Sequence, residues 1–406
     1  MIRMARTPFF GPRQHLVSSP NTTCKKQVVF KQFLNLSPKI KAQYGLTFSA
    51  NIQYFCVAYM LKYLRLLLLP FNLVYALVVY LRNRFYDWGI FKSTSFDIPI
   101  VCVGNLAVGG SGKTPTTEYL VRLLSQYKIA ILSRGYGRKT NGFILAGPNA
   151  TAETIGDEPL QYYHKFKDVT VAVCEDRVKG INELKANHDL ILLDDAFQHR
   201  KVKAGFNVLL FEFAKLQKMQ WLLPAGNLRE PFSGVKRAQA VLVTKSPADI
   251  SSKVKEKILA KLDLNSAQQL TFSHINYQKL THLYTGEETA LEKDQHLFLL
   301  TGIANPTPLV QYLEEMQLNI HSFEYPDHHR FTEKEIAQLV MAYQQHPAAK
   351  KIIVTTEKDG QRLLTNNLRD LLLNLPVYYL PIAIEIKAED KAIFDQKILD
   401  YVASTK

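Results

Sequence analysis

Two hydrophobic periods organise this chain. From residue 98 onward, short apolar runs at 98–103, 129–132, 169–173, 190–193, 208–211 and 240–243 alternate with stretches of helical period. Continuous apolar runs of this length suit strands covered on both faces, so the pattern predicts βα units on a mostly parallel sheet with helices on both sides. The sequence then turns polar and Lys-rich around 246–284 before a second series begins. "HLFLLTG" (296–302), "NIHSFEY" (319–325), "KIIVTTEKD" (351–359) and "LPVYYLPIAIEI" (375–386) read as strands, with helical patterns over 307–317 and 332–345. This second series predicts a smaller α/β domain.

The front of the chain obeys neither pattern. Residues 1–59 show no sustained helical period, and Met60 then opens "MLKYLRLLLLPFNLVYALVVYLRNRFYDWG". Its apolar run over 66–81 makes a helix of roughly 24 Å, short of the ~20 residues that span a bilayer. Pro70 and Asn72 interrupt the run, Lys62, Arg65, Arg82 and Arg84 bracket it, and Tyr86 and Trp88 follow. These features predict a helix over 61–86 lying in a membrane interface, its apolar side toward lipid and its cations toward headgroups. A helix packed on the body of the protein is the plainer alternative. The expected division is therefore an accessory extension (1–59, with Met60 start-like), a membrane-interface helix region (60–97), a core (98–245), a linker region (246–295) and a smaller α/β domain (296–406).

Composition changes this picture little. With 47% hydrophobic and 21% charged residues, global disorder is excluded. The net charge of +14 invites a nucleic-acid reading, but residues 1–59 carry eight Lys/Arg and no Asp or Glu, which leaves +6 for 60–406. A basic front end beside apolar sequence points to an anionic membrane surface and away from a nucleic-acid duplex. The four cysteines, Cys24, Cys56, Cys102 and Cys174, form no C-x-x-C pair, so neither a zinc site nor a disulfide framework is indicated.

The first strand runs into "VGNLAVGGSGKTP" (103–115), which looks like a phosphate-binding loop with Ala107 where the strict pattern has glycine. Gly109, Gly110, Ser111 and Gly112 let backbone N–H groups turn inward on phosphates at a helix N-terminus. Lys113 would neutralise phosphate oxygens and Thr114 would ligate Mg²⁺ beside bound ATP. "DLILLDDAFQH" (189–199) ends an apolar strand in Asp194 and Asp195, where one carboxylate would hold the metal; a turn or N-cap is the bland reading. In "GDEP" (156–159), Asp157 is either a base for an acceptor hydroxyl or a helix cap. Arg134 and Arg138 of "SRGYGRK" either hold an anionic substrate or lie in a solvated loop, and Arg229 with Glu230 of "LPAGNLREP" is either a phosphate clamp or a loop ion pair. The adjacent histidines of "YPDHHRF" (325–331) either orient a catalytic imidazole or cap the helix that follows.

Taken in order, "VGNLAVGGSGKTP", "SRGYGR", "GDEP", "DDAFQHR", "PAGNLREP", "TGIANP", "PDHHRF" and "TTEKD" strongly resemble the tetraacyldisaccharide 4'-kinase family, over residues 60 to about 390. The resemblance implies a P-loop NTPase-like fold with a smaller α/β lobe joined through a two-stranded linker. It implies transfer of the γ-phosphate of ATP to the 4'-hydroxyl of a lipid A disaccharide 1-phosphate, at the cytoplasmic face of the bacterial inner membrane, with no nucleic-acid or protein partner. It makes Asp157 the acceptor-activating residue with His328 as its partner, gives Lys113 and Asp195 catalytic roles, and places Thr114, Asp194 and Asp195 around Mg²⁺. Glu158, Gln198, His199, Arg229 and Glu230 match substrate-binding positions. The family also often has a small residue at position 107. The competing class is a P-loop ATPase switch whose hydrolysis regulates a partner, and a kinase or ligase for a soluble metabolite is a third.

Overall fold

A computed structural model describes residues 68–405. The readings of 1–59, of Met60 as a start, and of Lys62 and Arg65 lie outside the described residues. Fifteen strands are described: β1 (Ile100–Asn105), β2 (Ile129–Ser133), β3 (Ile144–Leu145), β4 (Thr170–Val173), β5 (Leu190–Asp194), β6 (Phe206–Glu212), β7 (Ala240–Thr244), β8 (Gln269–Tyr277), β9 (Leu280–His282), β10 (Glu288–Thr289), β11 (His296–Thr301), β12 (Asn319–Glu324), β13 (Lys351–Thr356), β14 (Val377–Leu380) and β15 (Ile382–Ile386). The longer helices are α1 (Leu69–Asp87), α2 (Lys113–Leu123), α3 (Asp157–Lys165), α4 (Arg177–Leu184), α5 (Ser252–Leu262), α6 (Thr307–Glu315), α7 (Glu333–Gln345), α8 (Glu357–Leu363), α9 (Asn366–Leu372) and α10 (Ala388–Ser404).

The larger sheet has the order β15-β8-β7-β6-β1-β5-β2-β4-β3 and is parallel except for β3 and β15 at its two edges. Every residue of β1 is buried. Ile100 and Cys102 enter one apolar core while Val101 and Val103 enter the other, so the period of two is hidden because both faces are covered. β1 lies between β5 and β6; the chain leaves β1 toward β2 on one side and crosses from β5 to β6 on the other. A crevice therefore opens at the carboxyl ends of these strands, where open α/β sheets bind ligands.

The smaller sheet, β10-β9-β14-β13-β11-β12, is parallel through β14, β13, β11 and β12 and carries its own apolar cores. The lobes divide differently from the expected boundaries. The stretch expected to be a linker, 246–295, contributes α5 and β8 to the larger lobe and β9 and β10 to the smaller. The run 375–386 is two strands in two sheets, because Pro381 has no N–H to continue a ladder and interrupts it. β8 and β15 pair antiparallel at the edge of the larger sheet, and both strands lead into the smaller one, forming a two-stranded connection. The C-terminal helix α10 then returns to the larger lobe. Phe394, Ile398 and Val402 fill its core, and the Tyr401 hydroxyl bonds the N–H and carbonyl of Ile100 at 3.0 and 3.2 Å.

Helix α1 packs with its polar side inward. Asn72 is buried beside the Leu222 and Leu223 carbonyls, and the Tyr75 hydroxyl donates to the Arg229 carbonyl at 2.9 Å. Asn83 donates to Glu230 at 2.7 Å, Arg82 to the Gln198 carbonyl at 2.6 Å, and Arg200 bonds the Asn83 carbonyl and Asp87. Phe71, Leu73, Val74, Leu77 and Val78 face outward and are all more than half exposed. The expectation that Arg82 faces lipid headgroups is corrected, since the Gln198 carbonyl draws it into the body; Arg84 stays at the surface over the Tyr80 ring. Among the described residues no helix is long and apolar enough to cross a membrane.

Candidate active site

The loop after β1 owes its shape to two glycines. Gly109 and Gly112 hold φ of 98° and 83°, the left-handed region that side chains with a Cβ avoid. Gly112 is the N-cap of α2, which puts Lys113 and Thr114 in its first turn. Ala107 sits in extended backbone paired with Leu228, flanked by bonds from Val108 N–H to the Asn227 carbonyl (2.8 Å) and from Arg229 N–H to the Leu106 carbonyl (2.7 Å). An extended pairing needs no glycine, which accounts for alanine there. Three groups that the motifs did not single out hold the loop. Asn105 Nδ2 donates to Ser111 Oγ at 2.7 Å, Thr244 Oγ1 to the Ser111 carbonyl at 2.8 Å, and Lys245 Nζ to the Gly110 carbonyl at 2.6 Å.

The paired aspartates lie directly beside this loop, because β5 runs in register with β1 and sets Asp194 opposite Val103. Lys113 Nζ lies 3.6 Å from Asp195 Oδ2, and Arg229 Nη1 reaches both Asp195 oxygens at 3.2 and 3.3 Å. Burial alone would raise the Asp195 pKa, but the Lys113 and Arg229 charges outweigh it and hold the carboxyl below its ordinary range. Asp194 goes the other way. It is fully buried, and burial followed by the charges of Glu158 and Asp195 pushes its pKa well up. Tyr162 donates to its Oδ2 at 3.4 Å, while Oδ1 has no partner. Among the described residues no three His, Cys, Asp or Glu side chains gather as a metal cage. A nucleotide-bound Mg²⁺ needs less, since phosphate oxygens complete its shell. An orphaned buried carboxylate oxygen beside a second carboxylate, with Thr114 opening α2, is a donor set that fits such an ion.

Asp157 begins α3 behind Gly156, at φ 92°, and its side chain caps nothing. It instead accepts from Arg362 Nη2 and Nε at 2.6 and 3.0 Å and lies 3.4 Å from His328 Nδ1. Burial would raise its pKa, but His328, Arg362 and Lys358 together bring it down to about 2. His328 is held at φ 59°, its N–H on the Gly302 carbonyl and its ring 5.3 Å from that of Tyr136. The helix-capping alternative belongs elsewhere: Thr332 and Glu335 form the capping box of α7, and His329 pairs with Glu335 at 3.0 Å. Asp157, His328 and Arg362 line a cavity of about 400 Å³ with Tyr136, Glu153 and Arg330. Glu158 links the two centres, since its charge acts on Asp194 while its Oε1 accepts from Lys358 at 3.4 Å.

The remaining candidates divide. Arg229 belongs to the phosphate-loop cluster through Asp195. Glu230 is buried in a pair with Arg237 and Asn83, and the Gln198 amide donates to the Asn105 carbonyl at 2.7 Å, so both brace the loop region. His199 has an unpartnered buried Nε2, and burial, then Arg177, lowers its pKa to about 4. Arg138 is tied to Glu175 and the Gly142 carbonyl, whereas Arg134 stays exposed. The motifs do not single out Lys358 or Arg362 as site residues; "TTEKD" contains Lys358 and ends three residues short of Arg362.

The chain matches the family model described as tetraacyldisaccharide-1-P 4'-kinase over residues 64–403. It is similar to the tetraacyldisaccharide 4'-kinase of Phocaeicola vulgatus, 44% identical over 345 residues covering 82% of this chain and 94% of that one. The Flavobacterium johnsoniae protein of the same name is 45% identical over 346 residues, 84% of this chain and 97% of that one. Among solved structures, LpxK from Aquifex aeolicus in complex with ATP superposes with a TM-score of 0.66 at 28% identity, covering 84% of this chain and 99% of that one.

Proposed function

The chain belongs to the tetraacyldisaccharide-1-P 4'-kinase family, and from that premise we infer that it is an ATP-dependent lipid A precursor kinase. It transfers the γ-phosphate of ATP to the 4'-hydroxyl of the tetraacyldisaccharide 1-phosphate, giving lipid IVA. The observation that carries this reading to the chemistry is that one crevice holds both a phosphate loop with its lysine and, beyond Glu158, a buried carboxylate beside a cavity. A regulatory ATPase would need the first and not the second.

In the mechanism we propose, Lys113 and the backbone N–H groups of the loop neutralise charge on the transferring phosphoryl group, the main demand of a loose transition state. Asp157 orients the acceptor hydroxyl and takes its proton as the new O–P bond forms and the bond to ADP breaks. A carboxyl held near pKa 2 is a weak ground-state base, so its proton is taken late, when the attacking oxygen has become acidic. Mg²⁺ held by Thr114 with Asp194 and Asp195 would supply further charge neutralisation on the phosphates. Arg229, by holding Asp195, keeps that carboxylate beside Lys113. Glu158, Gln198, His199 and Glu230 keep their assignment to the acceptor side as a proposal, with Gln198 and Glu230 acting through the loops they brace.

We propose further that the enzyme works as a peripheral protein on the cytoplasmic side of an anionic membrane, docked through α1. The acceptor's acyl chains lie in a bilayer, and the outward apolar face of α1 supports burial there. Radiolabelled ATP with lipid disaccharide 1-phosphate in mixed micelles tests the activity. Label should enter the lipid and depend on Mg²⁺; ATP hydrolysis without labelled lipid would instead favour the regulatory ATPase.

A further inference from the structure

The smaller lobe reaches the centre through α8. Its Glu357, Lys358, Gln361 and Arg362 meet Lys165 (2.7 Å), Glu158 (3.4 Å), His164 (2.6 Å) and Asp157 (2.6 Å), all of the larger lobe. Arg362 is held unlike the others. Its Nη1 bonds Asp359 Oδ1 at 2.5 Å and the Gly302 carbonyl at 3.1 Å. Asp359 is itself buried and fixed through Oδ2 by the Gly302 N–H (2.9 Å) and the Thr356 hydroxyl (2.7 Å). The guanidinium plane is thus set by a rigid frame of the smaller lobe. Its remaining donors, Nε and Nη2, both reach Asp157 Oδ2, and Nη2 also lies 3.4 Å from His328 Nδ1, which itself approaches that oxygen. No described residue donates to Asp157 Oδ1.

We propose that Arg362 is a positioning residue for the transfer: by pinning Oδ2 from the smaller lobe it reserves Oδ1 of Asp157 for the acceptor hydroxyl. The proton acceptor is then correctly set only while the lobes are docked. This rests on the reading of Asp157 as the acceptor-activating group. Two N–H donors in a fixed fork remove the rotation of the carboxylate that a single donor would allow, and an ammonium cannot reproduce that fork. The charged groups around Asp157 are Arg362, Lys358 and His328 from the smaller lobe and Glu158 beside it on α3, with Arg330 and Glu153 lining the same cavity.

The test compares Arg362→Lys, Arg362→Gln, Asp157→Asn and the double variant Asp157→Asn/Arg362→Lys. Arg362→Lys keeps a cation for Asp359, so we expect a folded protein with KM for ATP within about twofold of wild type. Its kcat should fall by roughly 10- to 100-fold, the scale of a misplaced reacting group. In Arg362→Gln the acid limb of kcat should move to higher pH, because burial of Asp157 is no longer opposed by the arginine. The double variant should be no slower than Asp157→Asn alone, since the arginine acts through the aspartate. If Arg362→Lys destabilises the fold, Asp359→Asn, which loosens the arginine without removing it, should give the same loss confined to kcat. Wild-type kcat in Arg362→Lys, or a loss additive to that of Asp157→Asn, overturns the positioning role while leaving Asp157 in place. Full activity of Asp157→Asn overturns both, and so separates the two failures.

Discussion

Replacing Leu73, Leu77 and Val78 together with glutamine tests the docking face of α1. These side chains are 75, 56 and 58% exposed, so the folded protein gains little from them and its stability should change by under about 0.5 kcal/mol. Full burial of such a side chain is worth ~1.5–3 kcal/mol. Scaled by the exposed fraction, and halved because the headgroup region is only partly apolar, the three together contribute roughly 1.4–2.8 kcal/mol to membrane binding. That corresponds to a partition coefficient lower by about 10- to 100-fold. Co-sedimentation with vesicles containing anionic lipid reads it directly, and turnover on vesicle-embedded acceptor should fall in parallel while KM for ATP holds. Arg84→Glu separates the electrostatic part, worth about 1 kcal/mol for a cation near the surface. Arg82→Glu would not, because Arg82 bonds the Gln198 carbonyl and its loss disturbs packing. If the triple variant binds vesicles within threefold of wild type, α1 is not the docking element and its apolar face needs another occupant.

Lys113→Ala should lower turnover by about 10²-fold or more through lost charge neutralisation; a rate within threefold of wild type in a single-turnover assay would remove the loop from the chemistry. Asp194→Asn should abolish Mg²⁺-dependent transfer yet raise the ligand-free Tm by about 2–4 °C, because it removes a buried charge with an unpartnered oxygen; an unchanged or lower Tm in calorimetry contradicts that account of the site. His199 has a folded pKa near 4 against ~6.5 unfolded, so the unfolded chain binds the extra proton first and stability falls as pH drops from about 6.5 toward about 4. His199→Gln should flatten that fall in urea titrations, and an identical pH profile would show the ring titrates normally.

How far the sequence was legible depended on whether the signal was local. The six core strands appeared as apolar runs because both sheet faces are covered, and β1, β5 and β7 landed within two residues of their expected positions. That Gly109, Gly112, Lys113 and the Asp pair come together was readable because a phosphate-loop pattern puts particular residue types at fixed spacing. What escaped was non-local. Nothing near Arg362 announces that it will meet Asp157 across 205 residues. The break at Pro381 was visible as a residue, but that it sends the chain from one sheet to the other follows from pairing with β8. The inward side of α1 was misjudged for Arg82 because an apolar-rich helix suggests an apolar inner face, whereas the body offers backbone carbonyls there.

The division between the lobes bears on where the proposed acceptor chemistry sits. The buried members of each apolar cluster belong to one lobe alone: those on β1 and α10 to the larger, those on β11 and α7 to the smaller. What joins α8 to α3 is polar. Lys165 bridges Glu118 and Glu357, Lys358 meets Glu158, His164 meets Gln361, and Arg362 meets Asp157. Desolvation offsets much of the attraction in such pairs, so they specify alignment more than they supply adhesion. Lys165 and Arg122 both pair with Glu118, yet burial and then the Glu118 charge push the Glu357 pKa up, which marks the contact as costly to close. An interface of that kind aligns Asp157 without burying a hydrophobic seam between the lobes. On the proposed reading of Asp157, a polar seam offers the headgroup of a lipid acceptor hydrogen-bonding partners that a greasy seam would not.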